Sequence, residues 1–244
     1  MTAVYEIKGN VATASRHAGG PWSPSIQHGA AIARLVAWAI ERIEIPHPMH
    51  VVRISIEFLR PAPIGPLEIR TEVERAGRKA HMASVCLLSE GIEIVRARAL
   101  RMRSTSFDFP ADMTEAALEL PGPEQAHEDP DVRANANPFL SGVSMRFVEE
   151  FVRRPGSGAV WLRPDRPLVL NSQTSPLMCA AVAADFTSGP SAVLDFKLWS
   201  YVNSDLSIFL TRPPVDDWIL LNAETWLGDR GTAIAVSRLA DARG

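Results

Sequence analysis

Apolar and polar residues alternate with a period of two over several stretches of this chain and recur at helical spacing over two others. Residues 2–16 suggest a short strand pair. The turn Gly19-Gly20-Pro21-Trp22-Ser23-Pro24 then announces a helix over residues 25–43, with Ser23 as its cap and Pro24 suited to the first helical position. Ile32, Leu35, Val36, Ala39, Ile40 and Ile43 recur at helical spacing, and much of the remainder is alanine, so this helix is expected to be buried on most sides. Pro46 and Pro48 end it. A meander follows. Residues 51–59 place Val52, Ile54, Ile56 and Phe58 on one side, residues 67–74 alternate again, and 80–88 and 92–102 form the last pair. Arg60-Pro61, Ala76-Gly77-Arg78 and Ser89-Glu90-Gly91 supply the turns. A long helix followed by such a meander is the α+β pattern in which a sheet wraps a helix.

Residues 107–138 lose periodicity and are rich in Pro, Glu, Asp, Ala and Asn, which predicts a linker with a short helix around 113–118. The earlier order then returns. Residues 143–151 and 159–163 read as a hairpin around Pro155-Gly156-Ser157-Gly158, and Thr174-Ser175-Pro176 starts a helix reaching about Phe186. Strands are expected at 206–210, 218–226 and 232–239.

A repeat underlies this order. Ser23-Pro24 and Ser175-Pro176 lie 152 residues apart, as do Arg60-Pro61 and Arg212-Pro213, and Ile54-Ser55-Ile56 matches Leu206-Ser207-Ile208 at the same offset. The expected organisation is an N-terminal unit over 1–106, a linker over 107–140 and a C-terminal unit over 141–244. The second unit stops at Gly244, where its counterpart of Ile92 would begin, so it is one strand short. Either further residues follow, which the pattern favours, or the sheet is completed in another way, since an open strand edge is an aggregation hazard.

Composition narrows the function. With 46% apolar residues, the 244-residue chain can bury one large or two medium cores. A net charge of −3 gives no basic surface for nucleic acid. Cys86 and Cys179 both lie in apolar runs and read as core residues of a protein in a reducing compartment. No basic, apolar leader opens the sequence and no apolar run reaches about 18 residues, so a soluble cytoplasmic protein without a membrane span is expected. The histidines 17, 47, 50 and 81 show no metal-ligand spacing. There is no G-x-S-x-G, no Cys paired with a nearby His and no Gly-rich phosphate loop, so neither metal nor bound cofactor is expected.

Phe58-Leu59-Arg60-Pro61, the Gln27-His28-Gly29 segment, the helix end Ala184-Asp185-Phe186 and the strand end from Phe209 to Pro213 resemble the acyl-CoA thioesterase II group. They also resemble the thioesterase-like double-hotdog proteins. The resemblance implies a double hotdog of two fused copies, each a long helix wrapped by an antiparallel sheet. It implies hydrolysis of a fatty or other acyl-CoA, and hence a place in lipid metabolism. In the group an Asp at the second-copy helix, a Thr on the next strand and a Gln on the final strand hold the attacking water. Asp185 matches the Asp, Asn203 stands at the Thr position, and the Gln position falls beyond Gly244. Asn can orient a water but offers no hydroxyl.

Each candidate has a functional and a structural reading. Asp185 ends an apolar run, so its desolvated carboxylate needs a partner: it is a water-activating base or a helix-end Asp bonded to Thr187 or Ser188. Gln27, His28 and Gly29 line the acyl site, with a Gly29 amide as oxyanion donor, or they only pack. Asn203 holds the water or caps a turn with Ser204 and Asp205. Arg60 and Arg212 grip CoA phosphates or brace their turns. Two rivals remain: a hotdog hydratase or dehydratase using His28 with Asp185, and a non-catalytic acyl-CoA-binding protein. Two copies in one chain mimic a single-hotdog dimer, so a further homo-oligomer is optional.

Overall fold

The alternating stretches of the first half fold as β1 (Tyr5–Lys8), β2 (Val11–Ala14), β3 (Met49–Phe58), β4 (Pro66–Ala76), β5 (Ala80–Ser89) and β6 (Ile92–Arg103), with α1 (Gly29–Arg42) between the second and third strands. The second half contributes α2 (Pro130–Ala134), β7 (Val143–Phe147), β8 (Ser157–Pro164), α3 (Pro176–Asp185), β9 (Asp205–Phe209), β10 (Ile219–Leu227) and β11 (Ala233–Ala240). These elements come from a computed structural model that describes residues 3–108, 110, 118, 120–148, 155–196 and 198–244. The short helix expected around 113–118 and the end of the strand expected over 143–151 lie outside the described residues. The linker instead contains α2, started by Asp129, whose side chain accepts from the amides of Asp131 and Val132.

The strands form two antiparallel sheets, one in the order β1-β2-β4-β5-β6-β3-β9 and one in the order β11-β10-β8-β7. With two principal helices, the architecture is α+β. Alternation explains the sheet faces: Ile54, Ile56, Val85, Leu87, Val95, Ala97 and Ala99 point into one continuous core, which also takes in Leu162, Leu221 and Ala223 of the second sheet. Both helices lie in this core. Every residue from Ala30 to Ile40 is buried, as is all of α3 from Leu177 to Asp185. The alanines let backbones approach closely, and each buried Leu or Ile contributes about 1.5–3 kcal/mol.

The start of α1 differs from the sequence expectation. Ser23 and Pro24 lie in a turn, and the helix begins five residues later, capped by His28, whose Nδ1 accepts from the Ala30 amide at 3.0 Å. The Gln27 amide bonds to the Ala62 carbonyl and the His28 amide to the Ala18 carbonyl, so tertiary hydrogen bonds occupy the backbone that a helix from Ser25 would need. Ser175 and Pro176 do start α3, with the Ser175 hydroxyl accepting from the Met178 amide.

α1 and α3 run antiparallel. The Ser175 hydroxyl at the start of α3 donates to Glu41 near the end of α1 at 2.7 Å. At the opposite end of the pair, His28 and Gly29 at the start of α1 meet Asp185 at the end of α3. The buried Arg34 fastens the middle, donating to the Arg166 carbonyl at 2.8 Å and the Thr174 hydroxyl at 2.6 Å. Burial brings its guanidinium pKa down to about 10. The halves also share a sheet, because β3 pairs with β9 with Ser55 opposite Ser207. Among the described residues, β9 has no strand on its other side and β11 pairs only with β10. No helix among them is long and apolar enough to cross a membrane.

Candidate active site

Asp185 is the last residue of α3 and is 5% exposed. Its carboxylate lies on the first turn of α1: a Cβ added to Gly29 would come within 2.5 Å of Oδ1 and 3.0 Å of Oδ2. Only glycine leaves room for it there. Asn203, in the loop before β9, donates its amide to Asp185 Oδ1 and to the Asp185 carbonyl, each at 3.1 Å. The carboxylate therefore has the amide dipoles of a helix N-terminus on one side and an Asn donor on the other, two sources of positive potential for a buried anion. Among the described residues, the Gly29 amide has no acceptor.

His28 Nδ1 lies 3.4 Å from Asp185 Oδ2, an ion-pair distance if the ring is charged. The same nitrogen accepts the Ala30 amide at 3.0 Å. While Nδ1 accepts from Ala30 it has no hydrogen to donate to Asp185, so the shorter contact makes His28 the cap of α1. Phe139 and Phe186 hold the ring in place, with centroids at 5.2 and 5.0 Å. Phe139 lies within the stretch read as linker, and it was not singled out in the sequence.

The remaining sequence candidates lie elsewhere. Gln27 is buried and fully engaged: it accepts from the Tyr5 hydroxyl at 2.5 Å and donates to the Pro63 carbonyl at 2.6 Å, tying β1 to the turn after β3. Arg60 donates to the Glu93 carbonyl at 2.8 Å. Arg212 forms a bidentate pair with Asp241, at 2.8 and 2.5 Å, and donates to the Gly244 carbonyl at 2.5 Å. Thr187 donates to the Ala184 carbonyl and its hydroxyl contacts that of Ser237 at 2.9 Å, so Asp185 is left for Asn203. Among the described residues no group of three or more His, Cys, Asp or Glu side chains is placed to hold a metal ion.

The Arg212–Asp241 pair has a consequence for acid stability. Burial opposes ionisation of Asp241, but bonds from Arg212 and from the Val215 and Arg243 amides outweigh it and hold the carboxyl at about 2, below the ordinary 3.8. A depressed carboxyl pKa contributes stability that is fully present above the unfolded value and lost as pH falls through the folded one. Asp241→Asn should therefore lower stability at pH 7, by about 1 kcal/mol once solvent screening of the part-exposed Arg212 is allowed for. The difference from the parent protein should shrink between pH 4 and 2. Urea unfolding across that range checks it, and a pH-independent difference would reject the pair as the cause.

Beside Asn203 a groove of about 1770 Å³ opens between β9 and β11, with Ala180, Ala184 and Thr187 on its floor. Against this geometry, the sequence matches the acyl-CoA thioesterase N-terminal domain over residues 18–102 and the acyl-CoA thioesterase C-terminal domain over residues 117–244. The chain belongs to the acyl-CoA thioesterase family. This thioesterase is thus a thioester hydrolase by family. Its fold is that of solved relatives. A Thermobifida fusca YX protein assigned to thioesterase II superposes with a TM-score of 0.76 at 21% identity, covering 100% of this chain and 91% of that one. An acyl-CoA thioesterase II from Mycobacterium marinum gives 0.66 at 17%, with 98% and 90% covered. A hotdog-fold protein of unknown function from Alicyclobacillus acidocaldarius gives 0.73 at 15%, again with 98% and 90% covered. No curated protein sequence matches the thioesterase significantly.

Proposed function

We propose that the thioesterase hydrolyses acyl-CoA by direct attack of a water activated by Asp185 and held by Asn203. The observation that carries this reading is the buried Asp185 carboxylate set on the first turn of α1 and bonded by Asn203. In the proposed step Asp185 accepts a proton from water as the oxygen attacks the thioester carbonyl. The Gly29 amide, unoccupied among the described residues, and the positive end of α1 stabilise the oxyanion. When the tetrahedral intermediate collapses, the C–S bond breaks and the proton passes from Asp185 to the CoA thiolate. His28 walls the site, and the acyl chain runs along the apolar interface of the two halves.

We read those halves as two fused hotdog copies. In β3 and β9 the residues matched at the 152 offset, Ser55 and Ser207, face one another directly, as a local two-fold axis requires. The chemistry is one-sided: the opposite end of the helix pair carries Glu41 and Ser175, with no glycine under the carboxylate. The bonds made by Arg60 and Arg212 favour a bracing role in their turns over grip on CoA phosphates.

A second reading, a hydratase, draws on the 3.4 Å approach of His28 to Asp185. The capping bond from Ala30 argues against it, because it removes Nδ1 as a donor. Thiol release from short, medium and long acyl-CoAs, run beside hydration of an enoyl-CoA, separates the readings. Thiol release alone is expected. Hydration without release would install the hydratase, and binding without either reaction would leave an acyl-CoA-binding protein.

A further inference from the structure

Surface arginines of this chain commonly stand beside a carboxylate: Arg70 pairs with Glu68, Arg96 with Glu93, Arg98 with Glu74 and Arg133 with Glu128. Arg16 and Arg166 depart from this. Arg16 opens the single turn Arg16–Ala18 after β2, which the Ser15 hydroxyl caps by accepting from the His17 amide at 3.2 Å. Gly19 follows, held between the Arg16 carbonyl and Pro138, where an added Cβ would lie 3.1 Å from the first and 3.4 Å from the second. Arg166 reaches the same proline. Its guanidinium donates to the Pro138 carbonyl at 3.1 Å and to the Ser141 hydroxyl at 3.3 Å, and it packs on Gly142. Arg34 fixes its backbone from within the core, donating to the Arg166 carbonyl at 2.8 Å.

These partners are neutral, and among the described residues no carboxylate pairs with Arg16 or Arg166. Two of the five N–H groups of the Arg166 guanidinium are used, which leaves three for a ligand. Burial, then Arg166 and Arg16, hold the His17 pKa below its ordinary value, and burial followed by Arg16 does the same to Arg166. The three side chains therefore share one region of positive potential on a chain whose net charge is −3.

This cluster adjoins the candidate site. The Ala18 carbonyl, two residues from Arg16, accepts from the His28 amide at 2.8 Å. Phe139, the neighbour of Pro138, stacks on the His28 ring at 5.2 Å. Arg60 and Arg212, the arginines that the sequence singled out for phosphates, are committed to Glu93 and Asp241. An extended pantetheine arm has about the length of four or five residues, roughly 15 Å from its sulfur to its first phosphate.

We propose that Arg16 and Arg166 bind the pyrophosphate of the acyl-CoA, its pantetheine arm running from the thioester past His28 and Phe139. The Arg166 fork is already oriented, and Arg16 closes on the same oxygens from the exposed side. The assignment rests on the acyl-CoA reading above.

Calorimetry with CoA tests the site without requiring turnover. Saturable binding is expected, with about tenfold loss in Arg16→Gln and in Arg166→Gln, the usual scale for a charge-assisted bond. The same loss should be seen with 3′-dephospho-CoA, which keeps the pyrophosphate. Arg166→Lys, which retains the charge, should recover part of the affinity. In rate assays the preference for an acyl-CoA over the corresponding acyl-pantetheine, read as a ratio of kcat/KM values, should fall about tenfold in each Gln variant. CoA affinity indifferent to both Gln variants would overturn the proposal. So would variants that bind 3′-dephospho-CoA as tightly as the parent does, because the arginines would then serve the 3′-phosphate. CoA binding that depends on both arginines, with no thiol release from any acyl-CoA, would uphold the phosphate site and reject the hydrolase reading instead.

Discussion

Asp185→Asn should leave the fold intact and reduce thiol release from acyl-CoA by on the order of 10²–10⁴-fold, the range for loss of a positioned general base. Asn has the shape of Asp and keeps an oxygen for the Asn203 amide, 3.1 Å away. It also sits on Gly29 without added bulk. What it loses is the charge and the basicity. The effect should appear in kcat with KM little changed, because the carboxylate is proposed to act on the water. Stopped assays on the parent and variant, with circular dichroism to establish folding, measure it. An unchanged rate in a folded variant would remove Asp185 from the mechanism while leaving the enzyme class standing.

Gly29→Ala is the second large effect. In most helices the exchange stabilises by about 0.5–1 kcal/mol, since alanine restricts the unfolded chain and is the best helix former. Here the new methyl would stand 2.5 Å from Asp185 Oδ1, and the buried carboxylate has nowhere to go without giving up Asn203. Overpacking of this kind costs about 1–3 kcal/mol. The variant should lose stability and most of its activity. In an Asp185→Ala background the clash is gone, and Gly29→Ala should become neutral or stabilising. The four proteins form a cycle whose coupling, read by urea unfolding, should be about 1–3 kcal/mol. Equal effects of Gly29→Ala in both backgrounds would show that the carboxylate does not rest on Gly29.

Much of the fold was legible because strands and tight turns are local. Alternation marked β5 and β6 to within a residue or so, and Glu90 and Gly91, both at positive φ, make the turn that Ser89-Glu90-Gly91 announced. The start of α1 was misread for a non-local reason. Ser23-Pro24 is a sound cap on propensity alone, but Ala62 and Ala18 claim the Gln27 and His28 amides. The site was legible only in part. Asp185 and Asn203 stood out through resemblance, and they lie within hydrogen-bonding distance. The demand for glycine at position 29 arises from the antiparallel helix pair, which no local pattern encodes. Asp241 went unnoticed because a lone Asp near a chain end carries no signal until Arg212 folds onto it. Gln27 looked like a site residue by its neighbours in sequence, and its partners are Tyr5 and Pro63.

The seam between β3 and β9 and the contact of Asp185 with Gly29 divide the candidate site between two stretches of chain that meet only after folding. Neither half alone would carry a complete constellation. Made as two separate polypeptides, the enzyme would behave as a heterodimer, its rate rising with the product of the two concentrations. Joined by the intervening segment, the halves see one another at an effective concentration of about millimolar. Dilution then does not part Asp185 from Gly29, because one chain carries both.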